Sequence, residues 1–314
     1  MRILTTIILL CLMTTISYAR DQINIVGSST VYPFSTVVAE RFGKSGTFKT
    51  PVIESTGTGG GMKLFCKGIG VNTPDMSNAS RKIKPKEVNL CKQNGVTDIT
   101  QVIVGLDGIA FTSSVKGKSY NFTKEQLWQA MSDLGSKPTK WSDIDPSLPD
   151  YKIAILTPPA TSGTRDAWNS LVMKKGCPEE ILKEQGKKAC YMLREDGAVI
   201  EVGENDTLII NKLVGEPTYF GIFGFSYYDN SKDKVQAHLI EDKKISLKSI
   251  QDGSYPISRP LYFYVKDQHI GVIPGVEEYV KEFTSKRAAG PRGYLLDLGL
   301  VPLKSLKESI SKVE

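Results

Sequence analysis

Short apolar runs of strand-like character alternate along this chain with segments in which apolar residues recur at helical spacing. The strand-like runs are residues 23–26, 51–54, 102–104, 108–111, 151–156 and 261–265. The helical segments are residues 33–42, 60–67, 86–93, 166–174, 206–213 and 276–283. Such alternation is typical of parallel sheets covered by helices, so the pattern predicts an α/β fold.

Three local patterns refine this prediction. Thr123 and Gln126 have the spacing of a capping box, which would start a helix ending near Met131. Residues 218–228 are aromatic and punctuated by glycine, and we expect them to form a packed core strand. From Lys304 onward the chain is polar and basic, which predicts a surface helix or a frayed end.

Residues 1–19 have the order of a secretory signal peptide. Arg2 precedes an apolar run, and the small residues Ser17 and Ala19 follow at positions −3 and −1 of a cleavage site. The apolar run is shorter than the roughly 20 residues that span a bilayer. We therefore predict an exported protein that is cleaved after Ala19 and is soluble.

Four cysteines remain after that cleavage, because Cys11 leaves with the signal. An even number of cysteines in an exported chain is typical of disulfides, and four cysteines allow three pairings. We favour the local pairing, because each bond then stays within one structural unit. It joins Cys66 to Cys91 and Cys177 to Cys190.

Size and charge restrict the class of protein further. A mature chain of about 295 residues exceeds the size at which one core usually keeps growing, which favours two domains. The formal net charge of +6 is spread along the chain without a long basic block. Together with export, this distribution argues against nucleic-acid binding.

Three turns combine glycine with small hydroxyl residues where a strand-like run gives way to a helix. They are residues 27–30, 57–61 and 161–165. A helix N-terminus presents free backbone N–H groups to an anion, and glycine lets the backbone approach the ligand closely. Three such turns in one chain predict a single anion held from several sides.

The catalytic alternatives fit the sequence poorly. In the second glycine turn Met62 precedes Lys63 and Leu64 follows it, which does not match a Walker A loop, and the turn lacks the last glycine of a dinucleotide-binding loop. Neither histidine has the partner pattern of a catalytic triad: we expect His238 on the surface and His269 in a polar turn. No CxxC pair or Asp/His cluster indicates a metal site. We predict a binding protein without cofactor or metal.

Six motifs in order resemble the periplasmic phosphate-binding proteins of high-affinity phosphate ABC transporters. The resemblance covers about residues 22–303. The motifs are residues 27–33, 55–61, 75–81, 162–168, 219–221 and 293–295. Several motifs in order are more specific than any single glycine-rich turn.

The resemblance implies two α/β lobes, each a mainly parallel sheet covered by helices, which are joined by hinge strands and close on one phosphate. Lobe 1 would comprise residues 20–106 plus 258–314, and lobe 2 residues 107–257. The residues that would bind phosphate by this resemblance are Ser29, Thr30 and Val31 (through its amide), Thr58, Ser80, Arg81, Ser162, Gly163 and Thr164.

Two positions depart from some members of this family. Those members have an arginine four residues before the Ser of the Ser-Gly-Thr motif, where this chain has Pro158; Arg165 and Arg81 are the available replacements. Some members also have an aspartate where this chain has Ser80. That carboxylate accepts the proton of hydrogen phosphate and so rejects sulfate. Asp107, at the expected crossing between the lobes, is our candidate for this acceptor.

The sequence thus predicts a monomeric periplasmic receptor, not an enzyme, that binds inorganic phosphate and delivers it to the transmembrane permease of an ABC transporter. A receptor for sulfate or another tetrahedral oxyanion is the alternative within the same class. A secreted phosphatase with a similar anion pocket is the alternative from a different class.

Overall fold

The computed structural model describes residues 20–203, 206–306 and 309–313, so the predicted signal peptide lies outside the described residues. The strands are β1 (Asn24–Gly27), β2 (Val52–Ser55), β3 (Met76–Ala79), β4 (Ile99–Ser114), β5 (Asn121–Phe122), β6 (Ile155–Thr157), β7 (Val199–Glu201), β8 (Phe220–Gly224), β9 (Val235–Ala237), β10 (Leu239–Ile240), β11 (Ser258–Lys266) and β12 (Ile310–Lys312).

The helices surround these strands. They are α1 (Tyr32–Lys44), α2 (Gly57–Phe65), α3 (Pro85–Gln93), α4 (Lys124–Met131), α5 (Gly163–Trp168), α6 (Lys174–Gly176), α7 (Glu179–Glu184), α8 (Lys187–Cys190), α9 (Asp206–Gly215), α10 (Phe225–Asp229), α11 (Leu247–Gln251), α12 (Val276–Phe283) and α13 (Lys286–Ala289). A π-helical segment, Asn169–Met173, joins α5 to α6. Single 3₁₀ turns lie at Trp141–Asp143, Asp267–His269 and Leu296–Leu298.

One curled mixed sheet organises the described residues. Its strand order is β2-β1-β3-β11-β4-β8-β6-β7, with β9 and β12 also paired to β4, while β5 and β10 pair separately. The pairs β1–β2, β1–β3, β6–β7 and β6–β8 are parallel, as the strand–helix alternation predicts. The antiparallel pairs all involve β4 or β11, the strands that cross the middle of the sheet.

The apolar side chains form cores on both sides of that crossing. One side has two neighbouring clusters from residues 23–104 and 261–300, which surround β1, β3 and the inner half of β11. The other side has one large cluster from residues 109–257 together with Val301. We refer to the first side as lobe 1 and to the second as lobe 2. This is the mixed α/β architecture of two lobes that the sequence predicts.

Strand β4 is the main connection between the lobes. Two separate runs were predicted here, but the chain continues as one strand of 16 residues. Its first half pairs with β11, where Asp107 lies opposite Arg259, and its second half pairs with β8 from Ile109. Both halves are buried, so each half packs against the core of its own lobe. Gly105 and Gly108, which lie between the two predicted runs, still pair with β11.

Several predicted elements form as expected. Helix α12 has the predicted bounds, and α4 begins with the predicted capping box. In that box the Gln126 amide N–H donates to Thr123 Oγ1 at 3.1 Å, and the Thr123 N–H donates to Gln126 Oε1 at 2.9 Å. The two disulfides are those of the local pairing, Cys66–Cys91 and Cys177–Cys190.

Three predicted elements are wrong in type or extent. The aromatic segment 218–228 is half strand and half helix, because after Gly224 the chain turns into α10 and buries Phe225 under lobe 2. Residues 151–154 are not a regular strand; only β6 follows them. The basic tail ends in the short strand β12, whose backbone pairs with the free side of β4 at Thr100 to Val102. Backbone pairing of this kind leaves no trace in side-chain periodicity.

Both histidines are buried, which corrects their predicted positions. His269 is 2 % exposed and its Nδ1 lies 2.6 Å from Asp75 Oδ1. Arg20 Nη2 donates to the other oxygen of Asp75 at 2.5 Å, which fastens the start of the described chain to lobe 1. His238 is 1 % exposed among the rings of Phe111, Phe122 and Phe220.

The buried position of His238 affects its protonation. Its Nδ1 accepts a hydrogen bond from the Tyr120 N–H at 3.1 Å, and its Nε2 is buried without a hydrogen-bond partner. Burial lowers the pKa of His238 to about 3, because the apolar surroundings do not solvate an imidazolium.

No helix in the described part of the chain is both long and apolar enough to cross a membrane.

We predict that His238→Asn makes the protein less sensitive to acid. Below pH 6.5, His238 becomes protonated in the unfolded state but stays neutral in the folded state. The wild-type protein therefore loses stability as the pH falls. Between pH 7 and pH 5 the wild type should lose about 2 kcal/mol more than the variant, whose amide oxygen can still accept the Tyr120 hydrogen bond. Urea unfolding at both pH values measures this difference. Equal losses in both proteins would contradict a neutral, buried His238.

Candidate functional site

A cleft of about 540 Å³ lies between the lobes, at the ends of the central strands. Among the described residues that line it, six are cationic and only Asp166 is acidic. Serine and threonine hydroxyls and the glycine turn of residues 57–59 form one end of the cleft. The lining residues are Ser28, Ser29, Gly57, Thr58, Gly59, Ser80, Arg81, Lys82, Lys84, Asp166, Ser170, Leu171, Lys174, Lys187, Tyr191, Arg259, Pro260 and Tyr262.

The first hydroxyl turn connects β1 to α1. Ser28 Oγ accepts a hydrogen bond from the Thr30 N–H at 3.2 Å, which holds the turn ahead of the helix. The residue at position 27 must be glycine, because its φ is +126° and a Cβ atom there would lie 2.1 Å from the Asn78 carbonyl oxygen. Ser28 and Ser29 consequently face the cleft beside the start of α1.

The second turn brings α2 against the first. Gly61 lies so close to Gly27 that a Cβ atom would be 2.5 Å from the Gly27 Cα, so this glycine serves backbone packing. Thr58 Oγ1 is 3.2 Å from Ser80 Oγ and accepts the Ser80 N–H at 3.1 Å. The turn and the end of β3 thus present two coupled hydroxyls to the same end of the cleft.

The third turn belongs to lobe 2 and meets the first turn directly. Ser162 Oγ accepts the Thr164 N–H at 3.2 Å, which caps α5. A Cβ atom on Gly163 would lie 2.6 Å from the Thr30 Cα. Thr30 Oγ1 also donates to the Gly163 carbonyl oxygen at 3.3 Å. The two lobes are therefore in contact beside the cleft.

The two arginines assigned from sequence are engaged with carboxylates. Arg81 lines the cleft, but both ends of its guanidinium donate to Glu87, at 2.8 and 2.7 Å. Burial by itself would raise the pKa of Glu87, yet the hydrogen bonds and charges of Arg81 and Lys84 hold it below its ordinary value. This bidentate pair braces the start of α3 rather than leaving a free cation.

Arg165 lies behind the third turn. Its Nη1 donates to Glu201 Oε1 and to the Pro158 carbonyl oxygen, both at 3.2 Å. Burial lowers the pKa of Arg165, and the charge of Glu201 opposes this effect. Because Arg165 is not among the cleft-lining residues, its geometry is that of a brace between α5, β6 and β7.

Arg259 is the arginine that faces the cleft and joins the lobes. It lies on β11, yet its Nη2 donates to Thr30 Oγ1 at 2.9 Å and its Nη1 donates to Ser170 Oγ at 3.1 Å. Asp166 Oδ2 is 3.4 Å from Nη2. The guanidinium thus bridges the first hydroxyl turn and the helical segment that follows the third.

Asp107 lies beside Arg259 on the neighbouring strand. Its Oδ2 is 3.6 Å from Arg259 Nε, and both atoms are buried without a hydrogen-bond partner. Burial raises the pKa of Asp107, although the charge of Arg259 opposes that shift. The carboxylate that lines the cleft is Asp166, whose side chain is 52 % exposed, against 14 % for Asp107.

The structure therefore brings together only part of the predicted set. Ser29, Thr58, Ser80 and Arg81 line the cleft, and Thr30 meets Gly163 beside it. Val31, Asp107, Ser162, Thr164 and Arg165 lie next to these residues without lining it. Sequence reasoning missed Asp166 and Arg259. Asp166 directly follows the Ser-Gly-Thr-Arg motif, whereas nothing around Arg259 distinguishes it from a surface arginine before a strand.

The site has the chemistry of an anion receptor. Hydroxyls, turn amides and a buried guanidinium provide donors, and the carboxylate of Asp166 provides an acceptor. Within residues 20–203, 206–306 and 309–313, no group of three or more His, Cys, Asp or Glu side chains is placed to hold a metal ion.

Comparison with known sequences agrees with this architecture. A family model described as a PBP superfamily domain matches residues 14–287. The protein SphX of Synechococcus elongatus is 30% identical over 259 residues, which are 80% of this chain and 70% of SphX. The phosphate-binding protein PstS of Staphylococcus saprophyticus is 28% identical over 296 residues, which are 92% of this chain and 83% of PstS.

Solved structures share the fold. A possible phosphate-binding protein from Planctomyces limnophilus superposes with a TM-score of 0.75 at 27% identity, covering 91% of this chain and 95% of that one. An ABC-type phosphate transport receptor from Vibrio cholerae gives a TM-score of 0.62 at 20% identity, covering 90% and 99% of the two chains. The two-lobed architecture is that of periplasmic binding proteins. The chain belongs to the PBP superfamily, and its family is one of substrate-binding receptors, not of enzymes.

Proposed function

We propose that this protein is a periplasmic receptor that binds inorganic phosphate between its two lobes and delivers it to the transmembrane permease of an ABC transporter. The observation that carries the proposal is the cleft in which hydroxyl turns from one lobe face Arg259 and Asp166. The names of the staphylococcal relative PstS and of the Planctomyces protein support phosphate as the ligand. Export by a cleaved signal peptide and a monomeric state belong to the same proposal.

The donors suit a dehydrated tetrahedral anion. Each phosphate oxygen needs partners once water leaves, and unpaired oxygens would cost binding energy. We assign direct contact to Ser29, Thr30, Thr58 and Ser80, to the Val31 amide, and to Ser162, Gly163 and Thr164 of the third turn, which already meets the first turn in this structure. We assign the ionic contact to Arg259. Arg81 and Arg165 then act by holding the turns in place, because Glu87 and Glu201 already occupy them.

Discrimination against sulfate needs an acceptor for the proton of hydrogen phosphate. Asp166 has the better position, since it lines the cleft within 3.5 Å of Thr30 Oγ1. Asp107 remains the candidate proposed from sequence. Its place behind Arg259 suits the fixing of that guanidinium more than direct contact with a ligand.

Calorimetric titration of ligand-stripped protein with phosphate, sulfate and arsenate tests the function. Phosphate should bind much more tightly than sulfate. Asp166→Asn should weaken phosphate binding by at least about tenfold and leave sulfate binding unchanged or stronger, because the charged acceptor of the phosphate proton is lost. Asp107→Asn is the matched control variant and should keep the preference for phosphate over sulfate. Unchanged preference in both variants would contradict readout of the proton by either carboxylate.

Arg259→Gln should weaken phosphate binding by about 10- to 100-fold, because a charge-assisted hydrogen bond is worth about 1.5–3 kcal/mol. Arg287→Gln is the control, since this arginine is exposed and pairs with Glu282 far from the cleft. Calorimetry gives the affinities and thermal unfolding verifies that both variants fold. An affinity equal to that of the control would remove Arg259 from the binding site.

Gly163→Ala should also weaken phosphate binding, by about tenfold or more, without unfolding the protein. The added methyl group meets the Thr30 backbone, which cannot move aside as a flexible side chain could, so the closed state is overpacked by about 1–3 kcal/mol. Gly215→Ala in the same lobe is the control, because its Cβ points into open space. Wild-type affinity in Gly163→Ala would show that binding does not require this contact between lobes.

A further inference from the structure

The cleft is larger than one phosphate requires, although the lobes already touch. Thr30 and Gly163 are in contact beside it, and Arg259 reaches Ser170 of lobe 2, so further approach of the lobes is limited there. A volume of about 540 Å³ nevertheless remains. Pockets of about 300–1,000 Å³ hold drug-sized ligands, whereas orthophosphate is a single tetrahedral group not much larger than two waters of about 30 Å³ each.

The remaining space is surrounded by lysines from both lobes. Lys82 and Lys84 come from lobe 1, and Lys174 and Lys187 come from lobe 2. We call these four residues the mouth lysines. Throughout the described ranges none of them has a salt bridge, whereas Lys49, Lys140, Lys183, Lys232, Lys281 and Lys312 each pair with a carboxylate.

Two of the mouth lysines, Lys84 and Lys187 from opposite lobes, are close enough for their charges to interact. The charge of Arg81 is the main cause that lowers the pKa of Lys84, followed by burial, and the charges of Lys86 and Lys187 act in the same direction. Glu87 opposes these effects, but its carboxylate is already bonded to Arg81. The like charges of Lys84 and Lys187 therefore repel each other across the cleft, and neither lysine has a salt bridge among the described residues, so an anion between them would lower the energy.

We propose that the cleft binds an anion longer than orthophosphate: a phosphoryl group that carries a second anionic group, of which inorganic pyrophosphate is the simplest example. This inference rests on the proposed function, because the first phosphoryl group occupies the hydroxyl end of the cleft. The second group lies among the mouth lysines and neutralises them. Tyr191 and Tyr262 also line the cleft.

The hydroxyl end alone does not explain the mouth lysines. Ser29, Thr58, Ser80 and Arg259 provide donors around one tetrahedral group, and an ion held there leaves the four ammonium groups at the opening unpaired. A second anionic group gives each lobe a charged contact to the same ligand. Since a ligand favours the state in which it contacts both lobes, this arrangement also stabilises closure.

The test compares three ligands by calorimetry at constant ionic strength: orthophosphate, pyrophosphate and methyl phosphate, which adds length without a second anion. The double variant Lys84→Gln/Lys187→Gln removes one mouth lysine from each lobe. The control Lys118→Gln/Lys212→Gln removes the same charge at exposed positions outside the cleft. We expect pyrophosphate to bind the wild type at least about tenfold more tightly than methyl phosphate.

The mouth variant should lose about tenfold or more in pyrophosphate affinity and change less than about threefold for orthophosphate, while the control keeps both affinities. Equal affinity of the wild type for pyrophosphate and methyl phosphate, or equal losses in mouth and control variants, would overturn the second anion position and leave the proposed function intact. Binding of pyrophosphate without orthophosphate would support the second position and overturn orthophosphate as the cargo. Binding of neither anion would overturn both proposals.

Discussion

Arg259 links the parts of this molecule that define the site. A guanidinium that is 10 % exposed requires carboxylates and acceptors nearby, because removal of its hydration is costly. Its partners come from four places: Asp107 on β4, Thr30 before α1, Asp166 on α5 and Ser170 on the π-helical segment. One side chain thus requires a particular arrangement of both lobes and of the strands between them.

That arrangement depends on β4 and β11, which run antiparallel and pass between the two sets of apolar cores. The pairing places Asp107 opposite Arg259. Near Asp107, positions 105 and 108 of β4 are glycines, because neighbouring residues leave no room for a larger side chain there. A Cβ atom on Gly105 would lie 2.7 Å from Leu300, and one on Gly108 would lie 2.4 Å from Ile250. Close packing on both sides of the crossing therefore fixes the position of Asp107 relative to Arg259.

The sequence predicted the parts of the fold that depend on local chemistry. The capping box of α4, the apolar face of α12 and the short spacing between paired cysteines each arise from neighbours along the chain. Long-range contacts were not predictable in this way. The strand β12 forms because its backbone meets an open strand edge. His238 is buried because aromatic rings from three other segments surround it: Phe111, the pair Tyr120 and Phe122, and Phe220.

The same distinction applies to the site. The three hydroxyl turns were recognisable because glycine and serine at the start of a helix have a local function. The roles of the arginines could not be recognised from the sequence, because a guanidinium can either bind an anion or brace a loop. Which of the two it does depends on the carboxylate that the fold places beside it. Glu87 lies six residues from Arg81, and Glu201 reaches Arg165 across a parallel strand pair.

The distribution of these carboxylates has a physical consequence for ligand binding. Arg81 and Arg165 are neutralised within their own lobes, so their charges do not have to be separated from a ligand when the cleft opens. Arg259 shares its charge between Asp107 and Asp166, which belong to the crossing and to lobe 2. In the proposed function, an anion that enters beside Arg259 would compete with Asp166 for the same guanidinium nitrogen, and the proton on hydrogen phosphate would convert that competition into a hydrogen bond. A fully deprotonated oxyanion has no such proton and would meet the carboxylate as a like charge.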